Sequence, residues 1–154
     1  MNRTTFIELL EKRDFKTLKN TLEIMNAVDI ALLLSNLEDK ERAFAFRLIP
    51  KDKAADVFSN MSNPIQSYLV KIFTEKELRE LLDNLYMDDT VDLLEELPAN
   101  LVTRILHTVS SDKRDLINQL LKFPENSAGS IMTTEYVSLK KTMTIKETDR
   151  KSVV

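Results

Sequence analysis

The run Asp88-Asp89-Thr90-Val91-Asp92, followed by Glu95 and Glu96, is the part of the sequence where side-chain type and spacing best support chemistry. Asp88 and Asp92 are four residues apart, which on a helix puts both on one side. Two chemistries fit that pair. Acids in a first helical turn accept hydrogen bonds from free N–H groups and complement the helix dipole, and Asp88 is a candidate N-cap. A carboxylate pair also suits a hard cation, because Mg2+ keeps several of its waters and is typically held by one or two carboxylates. One pair is a weak site, useful only where a second surface completes it. The residues alone leave both readings open.

Catalytic chemistry is excluded mostly by what is missing. His107 is the single histidine, and it lies off the apolar stripe of Leu101, Ile105, Leu106 and Val109, as a solvated surface histidine does. One glycine, Gly129, rules out a glycine-rich phosphate loop, and the lack of cysteine rules out a thiol nucleophile, a thiolate metal site and a disulfide. No serine or threonine sits in a nucleophile motif, so no enzyme activity is expected. Net charge is −3, with acids and bases interleaved as in Glu11-Lys12-Arg13-Asp14. That pattern lacks the one-sign patch of a nucleic-acid binder. The N-terminus has no apolar signal core. The longest apolar run, residues 30–34, falls far short of the roughly 20 residues needed to span a bilayer. The chain is expected to be soluble, with no direct membrane contact.

The elements that position these acids are helices. Apolar residues recur at spacings of three and four nearly throughout: Phe15, Leu18, Leu22 and Met25, then Val28, Ala31, Leu32 and Leu34, and so on to Leu116, Ile117, Leu120 and Leu121. Each stripe runs for roughly three turns. Pro50, Pro64 and Pro98 suit first helical positions, Thr74-Glu75-Lys76-Glu77 is a capping-box pattern, and Ser111 joins Asp88 as a candidate N-cap. No break contains glycine, so short, tight corners are implied. Shifting the sequence by 48 residues lays Ile49-Pro50 on Leu97-Pro98 and Val57-Phe58 on Ile105-Leu106. Two helix pairs per period is the logic of an α-solenoid, in which no pair buries its own apolar face alone. Generic amphipathic likeness is the alternative. The expected fold is all-α, a right-handed superhelical α-solenoid of about ten short helices within residues 4–122.

The pattern changes from Pro124. Residues 125–127 are polar and turn-like, Gly129 permits a positive φ, residues 135–139 read as a strand, and Thr144 to Glu147 form a capping box that opens another helix. A lone strand and one helical turn do not fold by themselves. They read as the front edge of a second, truncated domain.

The stretch "SAGSIMTTEYVSL", with Phe123-Pro124-Glu125 before it and Met143-Thr144-Ile145 after it, resembles the junction in MgtE-type magnesium transporters. There the cytosolic N domain meets the first CBS (cystathionine β-synthase-type) domain. "LIPKDKAADVFSNM" and "MDDTVDLLEELP" resemble segments of the same N domain. The resemblance implies an N domain over residues 1–123, a junction and the start of the first CBS domain over 124–147, and a tail over 148–154 that departs from the family and is non-native or disordered. It implies a homodimeric membrane protein in which Mg2+, bridging acidic faces of the N and CBS domains on the cytoplasmic side, favours a closed pore. The partners implied are the protein's own CBS pair and transmembrane domain. Carried over by position, the family's metal ligands fall on Asp88 and Asp92, a further acid on Asp56, and a backbone carbonyl near Ser130. The runner-up is a helical protein–protein interaction module resembling the middle region of flagellar motor switch proteins, against which the glycine junction argues.

Overall fold

The computed structural model describes residues 3–124, 127–130, 132, 134 and 138–152, with side chains to residue 148. Among them it contains eleven helices and no strand. The helices are α1 (Arg3–Glu11), α2 (Phe15–Ile24), α3 (Ala27–Ser35), α4 (Asp39–Leu48), α5 (Lys51–Ser59), α6 (Asn63–Ile72), α7 (Glu75–Asn84), α8 (Met87–Glu96), α9 (Ala99–Thr108), α10 (Ser111–Leu120) and α11 (Ile145–Ser152). The first ten begin at residues 3, 15, 27 and onward to 111, one every twelve residues. The 48-residue self-match is therefore four steps of a finer module.

The module works without glycine because of how its corners are made. The last helical turn runs into an apolar residue in extended conformation, and the next residue caps the following helix. Met25 and Asn26, Ile49 and Pro50, Phe73 and Thr74, Leu85 and Tyr86, Leu97 and Pro98, and Val109 and Ser110 are such pairs. Ile49, Phe73, Leu85, Leu97 and Val109 are buried, so each corner is pinned by its own side chain in the core. An extended corner needs no positive φ, and among the described residues the one non-glycine residue in that region is Arg13, between α1 and α2. This geometry shifts the expected caps by one or two places. Pro50 and Pro98 are N-caps rather than first helical residues, Ser110 rather than Ser111 caps α10, and Tyr86 rather than Asp88 caps α8. Thr74 and Glu77 form the expected capping box.

Apart from α1 on α2, α3 on α4 and α6 on α9, the main helix contacts skip one helix. α3 packs on α5, α5 on α7 and α7 on α9, while α2 packs on α4, α6 on α8 and α8 on α10. Odd and even helices thus form two layers with one continuous core between them, running from Phe6 to Leu120. Val28 and Leu32, expected on a buried stripe, are 61% and 63% exposed on α3.

After α10 the chain folds back on itself. Ser127 N–H donates to Pro124 O, and Ser130 N–H donates to Ser127 O, both at 3.1 Å. Gly129 does not use a positive φ. Its lack of a side chain matters for another reason: a Cβ there would lie 2.4 Å from the Phe123 ring. Of the expected strand, residues 135–137 lie outside the described residues, and Ser138 and Leu139 belong to no regular element. Thr144 and Glu147 form the expected cap, with Thr144 N–H donating to Glu147 Oε2 at 2.8 Å. The helix so opened runs to Ser152. No described helix is long and apolar enough to cross a membrane.

Candidate functional site: an acidic notch between α5 and α8

α8 starts without a side-chain cap, since its N-cap is Tyr86. Asp88 and Asp89 occupy its first turn, where carboxylates meet the positive end of the helix dipole. The corner between α5 and α6 lies opposite, because α6 packs on α8. Between them is an open notch of about 300 Å³. Asp89, Asp92, Glu95 and Glu96 line one side, Ser59, Asn63 and Gln66 the other, and no lysine or arginine takes part. Gln66 is buried and donates to Phe58 O at 2.9 Å, which closes the end of α5 beneath the notch.

The charges in this region act on one another. The Asp89 carboxyl is pushed above its ordinary value, first by partial burial and then by the charge of Asp88. A hydrogen bond with Ser59 works in the opposite direction, and Asp92 and Asp56 add further repulsion. Asp88 Oδ1 is buried and has no hydrogen-bond partner, an uncommon state for a carboxylate oxygen. Three of the expected residues, Asp56, Asp88 and Asp92, therefore act on Asp89 across two layers of the solenoid, but only Asp92 lines the notch itself. Ser130 is tied by hydrogen bonds to Ser127. Nothing in its contacts joins it to the aspartates.

Asp89 went unselected in the sequence although it stands beside both chosen residues. The signal was there: Asp89, Asp92 and Glu96 recur at i, i+3 and i+7, so they share a face. What periodicity does not carry is the α5–α6 corner that turns this face into a notch. Among the described residues, no group of three or more His, Cys, Asp or Glu side chains is arranged to hold a metal by itself. The carboxylates that line the notch all come from α8.

Known proteins place this scaffold. The family model of the MgtE intracellular N domain matches residues 25–126, more than half of the chain. The magnesium transporter MgtE of Thermus thermophilus is 33% identical over 144 residues, covering 91% of this chain and 32% of the relative. MgtE of Bacillus subtilis is 21% identical over 141 residues, covering 92% and 31%. The chain thus spans about a third of the length of these curated relatives. A crystal structure of the cytosolic domain of the Mg2+ channel MgtE in complex with ATP superposes with a TM-score of 0.82 at 31% identity, over 96% of this chain and 61% of that one. The soluble part of a magnesium transporter, at 23% identity and a TM-score of 0.77 over 88% of this chain and 54% of that one, shares the fold. The match spans α3 to α10 and favours the first of the two resemblances over the motor switch module: the chain belongs to the family of MgtE intracellular N domains.

Proposed function

We propose that this chain is a Mg2+-sensing regulatory domain of a longer magnesium transporter or channel, and acts by binding rather than catalysis. The observation that carries the reading is Asp88 Oδ1, buried without a hydrogen-bond partner next to Asp89, a carboxyl that Asp88, Asp92 and Asp56 all repel. A divalent cation with part of its water shell relieves both costs, since it supplies a partner for the orphan oxygen and neutralises the repulsion. The missing half of its coordination would come from an opposing surface, here a CBS domain of the same protein. Asp56, Asp88 and Asp92 are the proposed ligands, Asp89 joins them, and a backbone carbonyl near Ser130 lies on the side where that domain would begin.

The residue 126 limit of the family match supports a division into the N domain over 1–123, a junction and CBS start over 124–147, and a tail over 148–154. In this reading the parent is a homodimer, and the domain lies on the cytoplasmic side of the membrane. Mg2+ favours closure only through its greater affinity for the closed arrangement. The test is limited proteolysis of the full-length protein after Phe123 across a Mg2+ series. With Asp88→Ala and Asp92→Ala together, protection should require more Mg2+. Superimposable curves for parent and variant would reduce these aspartates to helix-terminal acids.

A further inference from the structure

Helix after helix in the solenoid ends against a long polar side chain sent from a later helix. Lys53 Nζ donates to Glu23 O and Met25 O at the end of α2. Arg42 closes α3 through Leu34 O and Leu37 O, and Arg104 closes α6 through Val70 O and Phe73 O. Lys113 closes α7 through Leu82 O and Leu85 O. The twelve-residue register makes the ends of α2, α4 and α6 comparable. α2 is closed from the third residue of α5 and α6 from the sixth residue of α9. For α4 the same two positions, on α7, are Glu77 and Glu80.

Beside the end of α4 lies an open cleft of about 490 Å³. Phe46, Arg47 and Ile49 from the end of α4 line it, with Phe73 and Leu81. That volume falls within the ordinary range of ligand pockets. The carbonyl end of α4 carries partial negative charge, and two carboxylates face it. Arg47 holds Glu77 at 2.6 Å across the rim. Lys51 reaches Glu80 at 2.9 Å, but its side chain is 83% exposed, so that pair is solvated and easily exchanged.

We propose that this cleft receives a lysine or arginine side chain presented by another polypeptide, which takes the place that Lys53 and Arg104 hold in the neighbouring modules. The apolar wall of Phe46, Ile49, Phe73 and Leu81 accepts the alkyl stem. Glu80 and the α4 carbonyl end receive the charged head.

The test is titration of the 154-residue chain with Nα-acetyl-lysine methylamide, with the arginine analogue and with the neutral isostere Nα-acetyl-norleucine methylamide, read by backbone amide shifts. Saturable shifts at Ile49, Phe73 and Glu80 are expected for the two cations, weakening with added salt and at least about tenfold weaker for norleucine. Glu80→Arg installs on α7 the cation that α9 already has, and should abolish the shifts while raising the melting temperature. Glu80→Gln should weaken binding and leave the fold intact. Equal binding of norleucine, or unchanged binding by both Glu80 variants, overturns the proposal. So does 1,5-diaminopentane binding about tenfold more tightly than the lysine derivative, which would make a free amine the ligand.

Discussion

Replacing Asp89 with asparagine should stabilise the isolated chain at neutral pH, although it removes an acid from the first turn of a helix. The ionised carboxylate interacts favourably with the α8 dipole, by about 0.3–1 kcal/mol in such positions. Against that stand its partial burial and the charges of Asp88, Asp92 and Asp56. Two like charges 4 Å apart cost about 1 kcal/mol in bulk water, and a wet notch is closer to that limit than to a dry interior. Three neighbours at somewhat longer range, with desolvation added, sum to roughly 1–2 kcal/mol. The raised pKa of Asp89 has the same sign, so repulsion and burial outweigh the stabilising contacts. Asparagine keeps an acceptor for Ser59. The net expectation is a gain of about 0.5–1 kcal/mol, or roughly 2 °C in melting temperature.

The pH dependence separates this cause from any packing effect. A carboxyl whose folded pKa is raised contributes stability that is complete below its unfolded value and is lost as pH rises through the folded one. The asparagine advantage should therefore be full at pH 7, shrink as pH falls through the raised Asp89 pKa, and vanish below the ordinary value of 3.8. Thermal melts of parent and variant from pH 7 to pH 3 make the measurement. A variant less stable than the parent at pH 7, or an advantage independent of pH, would refute the electrostatic account of the notch.

Glu77, drawn down to about 2 chiefly by its hydrogen bond with Arg47, should behave in the opposite sense: its stabilisation is present above the ordinary 4.5 and lost as pH falls towards 2. Because the pair is partly solvated, Glu77→Gln should cost about 1 kcal/mol at pH 7 in urea unfolding, with the gap closing at low pH. Arg104→Met leaves the carbonyl end of α6 without its cation and should cost about 2 kcal/mol by the same method. Gly129→Ala should speed hydrogen exchange at Ser127 and Ser130, because the new Cβ meets the Phe123 ring, and adding Phe123→Ala should relieve that effect. Millimolar Mg2+ should barely raise the melting temperature of the isolated chain, well under 1 kcal/mol of stabilisation while the ion is below its Kd; a micromolar site in calorimetry would contradict a shared site.

The helices were legible because apolar recurrence is a local signal, and Leu78, Leu81 and Leu82 face the core as their spacing requires. The corners were half legible. Pro50 and Pro98 mark them, but the buried residue before each is what fixes the boundary, and its extended conformation has no signature of its own. Side-chain capping was a poor guide at Tyr86, Pro50 and Pro98, none of which makes a side-chain cap bond. The twelve-residue step escaped notice because equivalent surface positions differ in character: Leu32, Asp56, Glu80 and Arg104 occupy one site of successive odd helices. Asp56 and Asp88 could be paired only through resemblance, because their common action on Asp89 depends on how the α5–α6 corner meets α8, which no local pattern encodes.

That variation at equivalent positions is also what lets a uniform scaffold carry distinct sites. The corners and the core fix each helix to its neighbours, so the outward positions differ from module to module while the helices keep their register. At the sixth position of the odd helices the chain places an apolar group on α3, a carboxylate that repels Asp89 on α5, a carboxylate at the α4 cleft on α7, and a structural cation on α9. A solenoid surface of this kind presents ligands from one side, because successive helices fan along the stack rather than close around a point. Asp56, Asp88 and Asp92 therefore repel Asp89, and among the described residues no such group holds an ion by itself. An arrangement that is costly alone and incomplete by geometry gains most from an opposing surface. In the proposed function, that gap between the free and the docked state is what makes the domain respond to Mg2+.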